Sequence, residues 1–335
     1  MPDGALAADW PATAPVAAER RRALDVARGI AIILVVWGHA MIGTGRAVGA
    51  GEAGRFAVTL VYAVHMPLFF FLSGLLARGA MAEPAAAFAR RLGARVIHPY
   101  FLWSAVLLCA HYAMSGVTNT RVERLDLLSI LYAPPAVMWF LYVLFFCFLI
   151  ARGLRDRPGA RLALGCALAV GGYFLHGWML PNLRFVGIFL IATAFTPAAA
   201  LAAARDWRVR AVGLALMIPP VLFALGAAGQ APAGYPAFAP RYLPAAAGGV
   251  VLILAAAQAI ERRGAGLALV GRRTMPIFVT HILVLTAARV LCLRAGLDGA
   301  ATVVIATACG VAVPMVLHAL AARWSLVGPL GWGRG

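Results

Sequence analysis

The strongest constraint in this sequence is a succession of apolar runs, each about twenty residues long, joined by short connections that hold most of the charge. A run of that length crosses the hydrocarbon core of a bilayer as one helix, because each backbone amide then finds its partner inside the segment. Ten runs are read from the sequence: 26–45, 56–78, 95–115, 134–152, 161–179, 184–204, 209–228, 242–260, 275–293 and 300–322. Hydrophobic residues make up 63% of the chain and charged residues 12%, so one water-soluble core is excluded. The expected fold is an all-α integral membrane protein, a polytopic bundle of about ten transmembrane helices. Residues 1–24 are expected as a flexible cytoplasmic tail, 25–323 as the transmembrane domain and 324–335 as a second cytoplasmic tail. The first apolar run imitates the core of a signal peptide, but further spans follow at once and it carries Arg28 and His39, so a retained helix is expected.

Every basic residue is Arg, and the net charge is +17. Such a charge first suggests nucleic acid, but here the arginines sit in clusters between apolar spans, which is the pattern of membrane topology. With a cytoplasmic N-terminus, 21 of the 29 fall in cytoplasmic segments and helix ends. The other eight are Arg46, Arg55, Arg121, Arg124, Arg184, Arg241, Arg289 and Arg294. That asymmetry is the positive-inside rule, and it places both termini in the cytoplasm of a multi-pass inner-membrane protein, with no nucleic-acid partner. The five cysteines lie inside apolar segments and form no CxxC pair, so neither a metal site nor a redox pair is expected.

Ionisable side chains at membrane depth cost several kcal/mol without a partner or water, which makes them candidates for function. Asp25, Arg28 and His39 open the first span. Eleven residues bring Arg28 and His39 to one helix face, about 16 Å apart along the axis, and Asp25 stands one turn before Arg28. The alternative is an anchoring Arg28 and a His39 that hydrogen-bonds a neighbouring helix. His65, beside Pro67 in the second span, and His281 in the ninth reach the same depth, so the three histidines can meet; a structural role remains open for His65 and His281. His111, His176 and His318 read as packing residues. Arg90, Arg91 and Arg95 open the third span, with Arg91 and Arg95 one turn apart. Guanidiniums stacked in this way suit a phosphorylated ligand, or else lipid headgroups. Trp139 begins Trp139-Phe140-Leu141-Tyr142, which by default is an interfacial aromatic belt. Glu123, Asp126, Arg121 and Arg124 form a nearly neutral outer loop.

Five segments in register resemble the membrane-bound acyltransferase-3 family. They are Leu24-Asp25-x-x-Arg28-Gly29 leading to His39, His65-Met66-Pro67 through Ser73-Gly74, Arg95-Val96-Ile97-His98-Pro99-Tyr100, Trp139-Phe140-Leu141, and Gly271-x-x-Thr274 followed by His281. The likeness covers residues 20–322 and is closer to the short members, similar to fucose O-acetylases, than to those with an added domain. Two departures stand out: Arg91 and Arg95 are spaced Arg-x-x-x-Arg where the family usually has Arg-x-x-Arg, and His98 precedes the proline. Both Arg90 and Arg91 therefore remain candidates for the family's first arginine.

The resemblance implies acyl-CoA, in particular acetyl-CoA, as a cytoplasmic co-substrate, with no permanently bound cofactor. It also implies a glycan or lipid-linked saccharide of the cell envelope as acceptor. Under it, His39 is the expected general base, or a transient acyl carrier, with Arg28 and Asp25 as the associated pair. Arg90, Arg91 and Arg95 are expected at the CoA phosphates, and His65, Ser73, Trp139 and His281 as supporting residues. Loops 46–55, 116–133 and 229–241 are expected to shape the acceptor pocket. The rival reading is a transporter or flippase, whose buried His and Arg would line a translocation path. Against it stand the one-sided arginines and the lack of repeats between the two halves.

Overall fold

A computed structural model describes residues 14–114, 126–177, 179–228 and 239–333, with side chains from Arg22 onward. Loop residues 115–125 and 229–238, with Arg121, Glu123 and Arg124, lie outside the described residues, as does the start of the N-terminal segment. The described chain is all helical. Among the described residues, eight helices are long and apolar enough to cross a membrane, and nine if one bent pair counts as a span.

The helices are α1 (Ala14–Val48), α2 (Glu52–Ala82), α3 (Ala85–Leu92), α4 (His98–Ala113), α5 (Trp139–Gly153), α6 (Pro158–Gly171) and α7 (Leu183–Ala192). They continue as α8 (Pro197–Arg205), α9 (Trp207–Ala228), α10 (Leu243–Ile260), α11 (Ala265–Arg272), α12 (Thr274–Arg294) and α13 (Gly299–Arg323). A π-helical turn, Gly93–Ile97, joins α3 to α4.

α1 is the central element, packed against α2, α10, α11, α12 and α13. Its side chains explain that position. Val26, Ala27, Ala31, Ile32, Val35, Val36 and Ala40 are all buried, and small residues let neighbouring backbones come close. The closest approach is to α11: a Cβ on Gly271 would lie 1.8 Å from the Asp25 carbonyl oxygen, and one on Gly29 would lie 2.1 Å from that of Leu267.

Eight of the ten expected spans stand as helices of membrane length. The other two take a different form. The run expected at 161–179 forms the short helix α6, which ends at Gly171 and pairs with α7. The run expected at 184–204 is broken, with a 94° bend between Leu180–Ala192 and Pro197–Arg205. The cause lies in Thr196-Pro197. A residue before proline is pushed out of the α region, and Thr196 is extended (φ −83°, ψ 153°). Its hydroxyl then caps α8 by accepting from the Ala199 amide at 3.1 Å. Hydropathy is blind to that stop and restart.

Polar contacts link the arginine-rich ends into one face. Arg22 donates to the Arg262 carbonyl, Arg78 to that of Ala194 and Arg152 to that of Met81. The segment after α13 folds against this face, with Trp332 buried and stacked between Trp103 and His318.

Candidate active site

Two cavities abut inside the bundle. The inner one, about 580 Å³, is lined by Asp25, Arg28, Ser73, Arg95, Arg272 and Trp332, among others. The outer one, about 710 Å³, takes in His39, Tyr62, His65 and Trp139. Val35, Met66, Phe140 and Phe278 line both and form the partition between them. On α1, Arg28 faces the inner cavity, Val35 the partition and His39 the outer cavity, as one helix stripe. The arithmetic that put Arg28 and His39 on one face therefore holds, with a wall of four apolar side chains between their two spaces.

At the inner end, Asp25 pairs with two arginines: Arg28 Nη1 is 3.6 Å from Oδ1 and Arg272 Nη1 is 3.7 Å from Oδ2. The contact of Gly271 with the Asp25 backbone brings Arg272 there. One carboxylate between two guanidiniums leaves net positive charge on the cavity, and Arg95 adds to it.

Arg95 reaches this cavity because the chain before α4 is underwound. Pro99 has no amide to give the Arg95 carbonyl, and its ring would crowd that oxygen in a regular helix. The turn widens instead, and the His98 amide bonds five residues back to Gly93. The wider turn separates the faces of Arg91 and Arg95. Arg91 binds Glu83 through both carboxylate oxygens, with Nε 3.0 Å from Oε2. Neither Arg91 nor the exposed Arg90 is among the residues that line the inner cavity. Of the three arginines expected at the donor phosphates, the fold brings Arg95 alone to the space beside Arg28.

The three histidines expected at mid-depth do meet: His39 and His65 line the outer cavity, and His281 lies buried behind His39. The His39 and His281 rings are 5.4 Å apart, and Tyr62 bridges His39 and His65 at ring distances of 6.0 and 4.7 Å. The Tyr62 hydroxyl is 3.3 Å from His39 Nδ1. Nδ1 of His65 donates to the Val61 carbonyl at 2.6 Å, and that of His281 to the Phe278 carbonyl at 2.7 Å. These bonds fix both rings and leave each with a basic Nε2. His281 Nε2 is buried without a hydrogen-bond partner. With Nδ1 of His39 turned to Tyr62, its Nε2 is the nitrogen suited to meet a ligand.

Ser73 lines the inner cavity, while Trp139 lines the outer one and stacks near Phe70 and Phe185. Several residues at the site had not been singled out from sequence: Tyr62, Arg184, Arg272 and Arg289; His111, read there as a packing residue, lines the outer cavity. Tyr62 had a signal, since it stands one turn before His65. Arg184 and Arg289 had another, as arginines on the arginine-poor side. Among the described residues no group of three or more His, Cys, Asp or Glu is placed to hold a metal ion.

Residues 21–319 match the sequence model of a family described as an acyltransferase domain. The chain is also similar to nodulation protein NolL of Sinorhizobium fredii (strain NBRC 101917 / NGR234), 31% identical over 139 residues, or 38% of this chain. That match spans only 35% of the relative's length. No solved structure matches the chain.

Proposed function

The chain belongs to the acyltransferase family matched across residues 21–319, and from that premise we propose that it is a membrane-bound O-acyltransferase using acyl-CoA as donor. The inner cavity receives the donor from the cytoplasmic side, and the outer cavity receives a glycan or other cell-envelope acceptor through a hydroxyl. Acetyl is the acyl group this reading favours. The observation that carries it is the pair of abutting cavities, one ringed by Arg28, Arg95 and Arg272, the other holding His39.

The chemistry follows from those side chains. Guanidiniums bind phosphate through charge-assisted, bidentate bonds, so Arg95 and Arg272 hold the nucleotide end of CoA, while Asp25 fixes Arg28 and Arg272 in place. The pantetheine arm runs along the Arg28–Val35–His39 stripe, and the thioester displaces the partition side chains. Met66 is the most adaptable of these. On the other side, His39 Nε2 accepts the proton of the acceptor hydroxyl as its oxygen attacks the thioester carbonyl carbon. The tetrahedral intermediate collapses with cleavage of the C–S bond. The CoA thiolate leaves and takes that proton from the His39 imidazolium, so ester and free CoA are the products and the base is restored. Tyr62 orients the imidazole and stabilises it when protonated. Phosphate anchoring far from the reacting carbon lets binding energy hold the thioester in place for attack.

Transfer of label from radiolabelled acetyl-CoA in purified membranes tests the proposal. The wild type should incorporate label into envelope acceptor and release CoA, and His39→Ala should do neither. His39→Ala membranes that transfer label at the wild-type rate would remove His39 from the chemistry.

A further inference from the structure

The outer cavity carries a charge for which acyl transfer to a neutral sugar has no use. Arg46, Arg184 and Arg289 line it, from α1, α7 and α12, and no Asp or Glu lines it among the described residues. Two of the three are deeply buried, Arg184 at 2% exposure and Arg289 at 5%. The Arg184 guanidinium lies over the rings of Phe185 and Tyr173, 4.5 and 5.2 Å from their centroids. Arg289 donates to the Gly43 carbonyl, yet its Nε is buried without a hydrogen-bond partner.

For Arg289, one carbonyl offsets only part of the cost of withdrawing a guanidinium from water. Topology does not account for the three arginines either, because they stand among the few arginines on the arginine-poor side. The hydroxyls of a neutral saccharide would leave the Arg289 charge uncompensated. An oxyanion would neutralise it and match the planar donor fork of arginine.

Building on the acyl-transfer reading above, we propose that the acceptor is an anionic saccharide. Its carboxylate or phosphate is seated by Arg289 with Arg46 and Arg184, and a neighbouring hydroxyl is presented to His39. The anion thus sets which hydroxyl is acylated, by fixing the distance between the charged group and the reacting oxygen.

Equilibrium binding to purified protein in nanodiscs, with empty discs subtracted, tests this. The probes are a uronate-containing oligosaccharide, its neutral methyl ester, a polyprenyl-diphosphate-linked hexose and a neutral polyprenyl hexoside. At least one anionic probe should bind about tenfold tighter than its neutral partner. Which pair shows the preference identifies carboxylate or lipid-linked phosphate as the source. Arg289→Gln should erase the preference, and Arg289→Lys, which keeps the charge and guards against a folding artefact, should retain part of it. Equal binding of charged and neutral partners in both pairs, or no binding of any probe, overturns the inference. CoA release from acetyl-CoA by the same preparation reports separately on acyl transfer. Its presence without a charge preference rejects the anionic acceptor alone, and its absence rejects the reading beneath it.

Discussion

His39 takes its setting from neighbours on two other helices: Tyr62 at 3.3 Å on one side and the His281 ring at 5.4 Å on the other. If it is the general base, His39→Ala should lower acyl transfer by about 10²–10⁴-fold and leave acyl-CoA affinity unchanged in a binding assay. Tyr62→Phe removes an orienting hydroxyl and should lower kcat by about tenfold, the worth of one hydrogen bond. At the inner end, Arg95→Ala and Arg272→Ala should each raise the KM for acyl-CoA by roughly tenfold, as loss of a charge-assisted contact does. Arg91→Ala, acting on a residue tied to Glu83, should leave that KM alone. Unchanged KM in the first two variants would assign those guanidiniums to lipid headgroups. Arg28 and His39 were legible in the sequence, because their relation is helix arithmetic within one element. Arg272 was not legible as a site residue, because its place beside Asp25 depends on the contact of α11 with α1, which no local pattern records.

Proline and glycine account for the main surprises among the helices. Pro99 forces the widened turn that parts Arg91 from Arg95, so a spacing that stacks two arginines on an ideal helix does not stack them here. Thr196-Pro197 likewise breaks an apolar run that hydropathy alone reads as one span. Where no such interruption occurred, the sequence located eight membrane-length helices correctly, since length and apolarity are the whole requirement. Gly271 offers a direct test of the α1–α11 packing. In Gly271→Ala the new methyl would fall 1.8 Å from the Asp25 carbonyl oxygen, and overpacking of this kind costs about 1–3 kcal/mol or more. A lowered thermal midpoint in detergent and a raised KM for acyl-CoA should appear together. Gly266→Ala, on the same helix with nothing within 4 Å, should leave both unchanged or raise stability slightly.

On the scale of the whole molecule, the bundle brings two cavities, one for each substrate in the proposed reaction, against one wall of Val35, Met66, Phe140 and Phe278. In the proposed reaction, such a wall would keep water and acceptor from the thioester until both substrates are seated. Phe140→Ala should therefore raise acyl-CoA hydrolysis without acceptor by about tenfold, as exclusion of water from the reacting centre is lost. Free thiol release measures it. No sequence pattern announced this partition, because its four residues come from four different helices and look like ordinary apolar core. The central claim is that the donor spans this wall, anchored by arginines at one end and reacting beside His39 at the other. The most direct measurement is a structure of the protein bound to a non-hydrolysable thioether analogue of acetyl-CoA. The expected result is phosphate density against Arg28, Arg95 and Arg272, with the thioether within reach of His39 Nε2. Phosphates bound elsewhere, or an acyl end that stops short of the partition with His39 out of reach, would contradict the account.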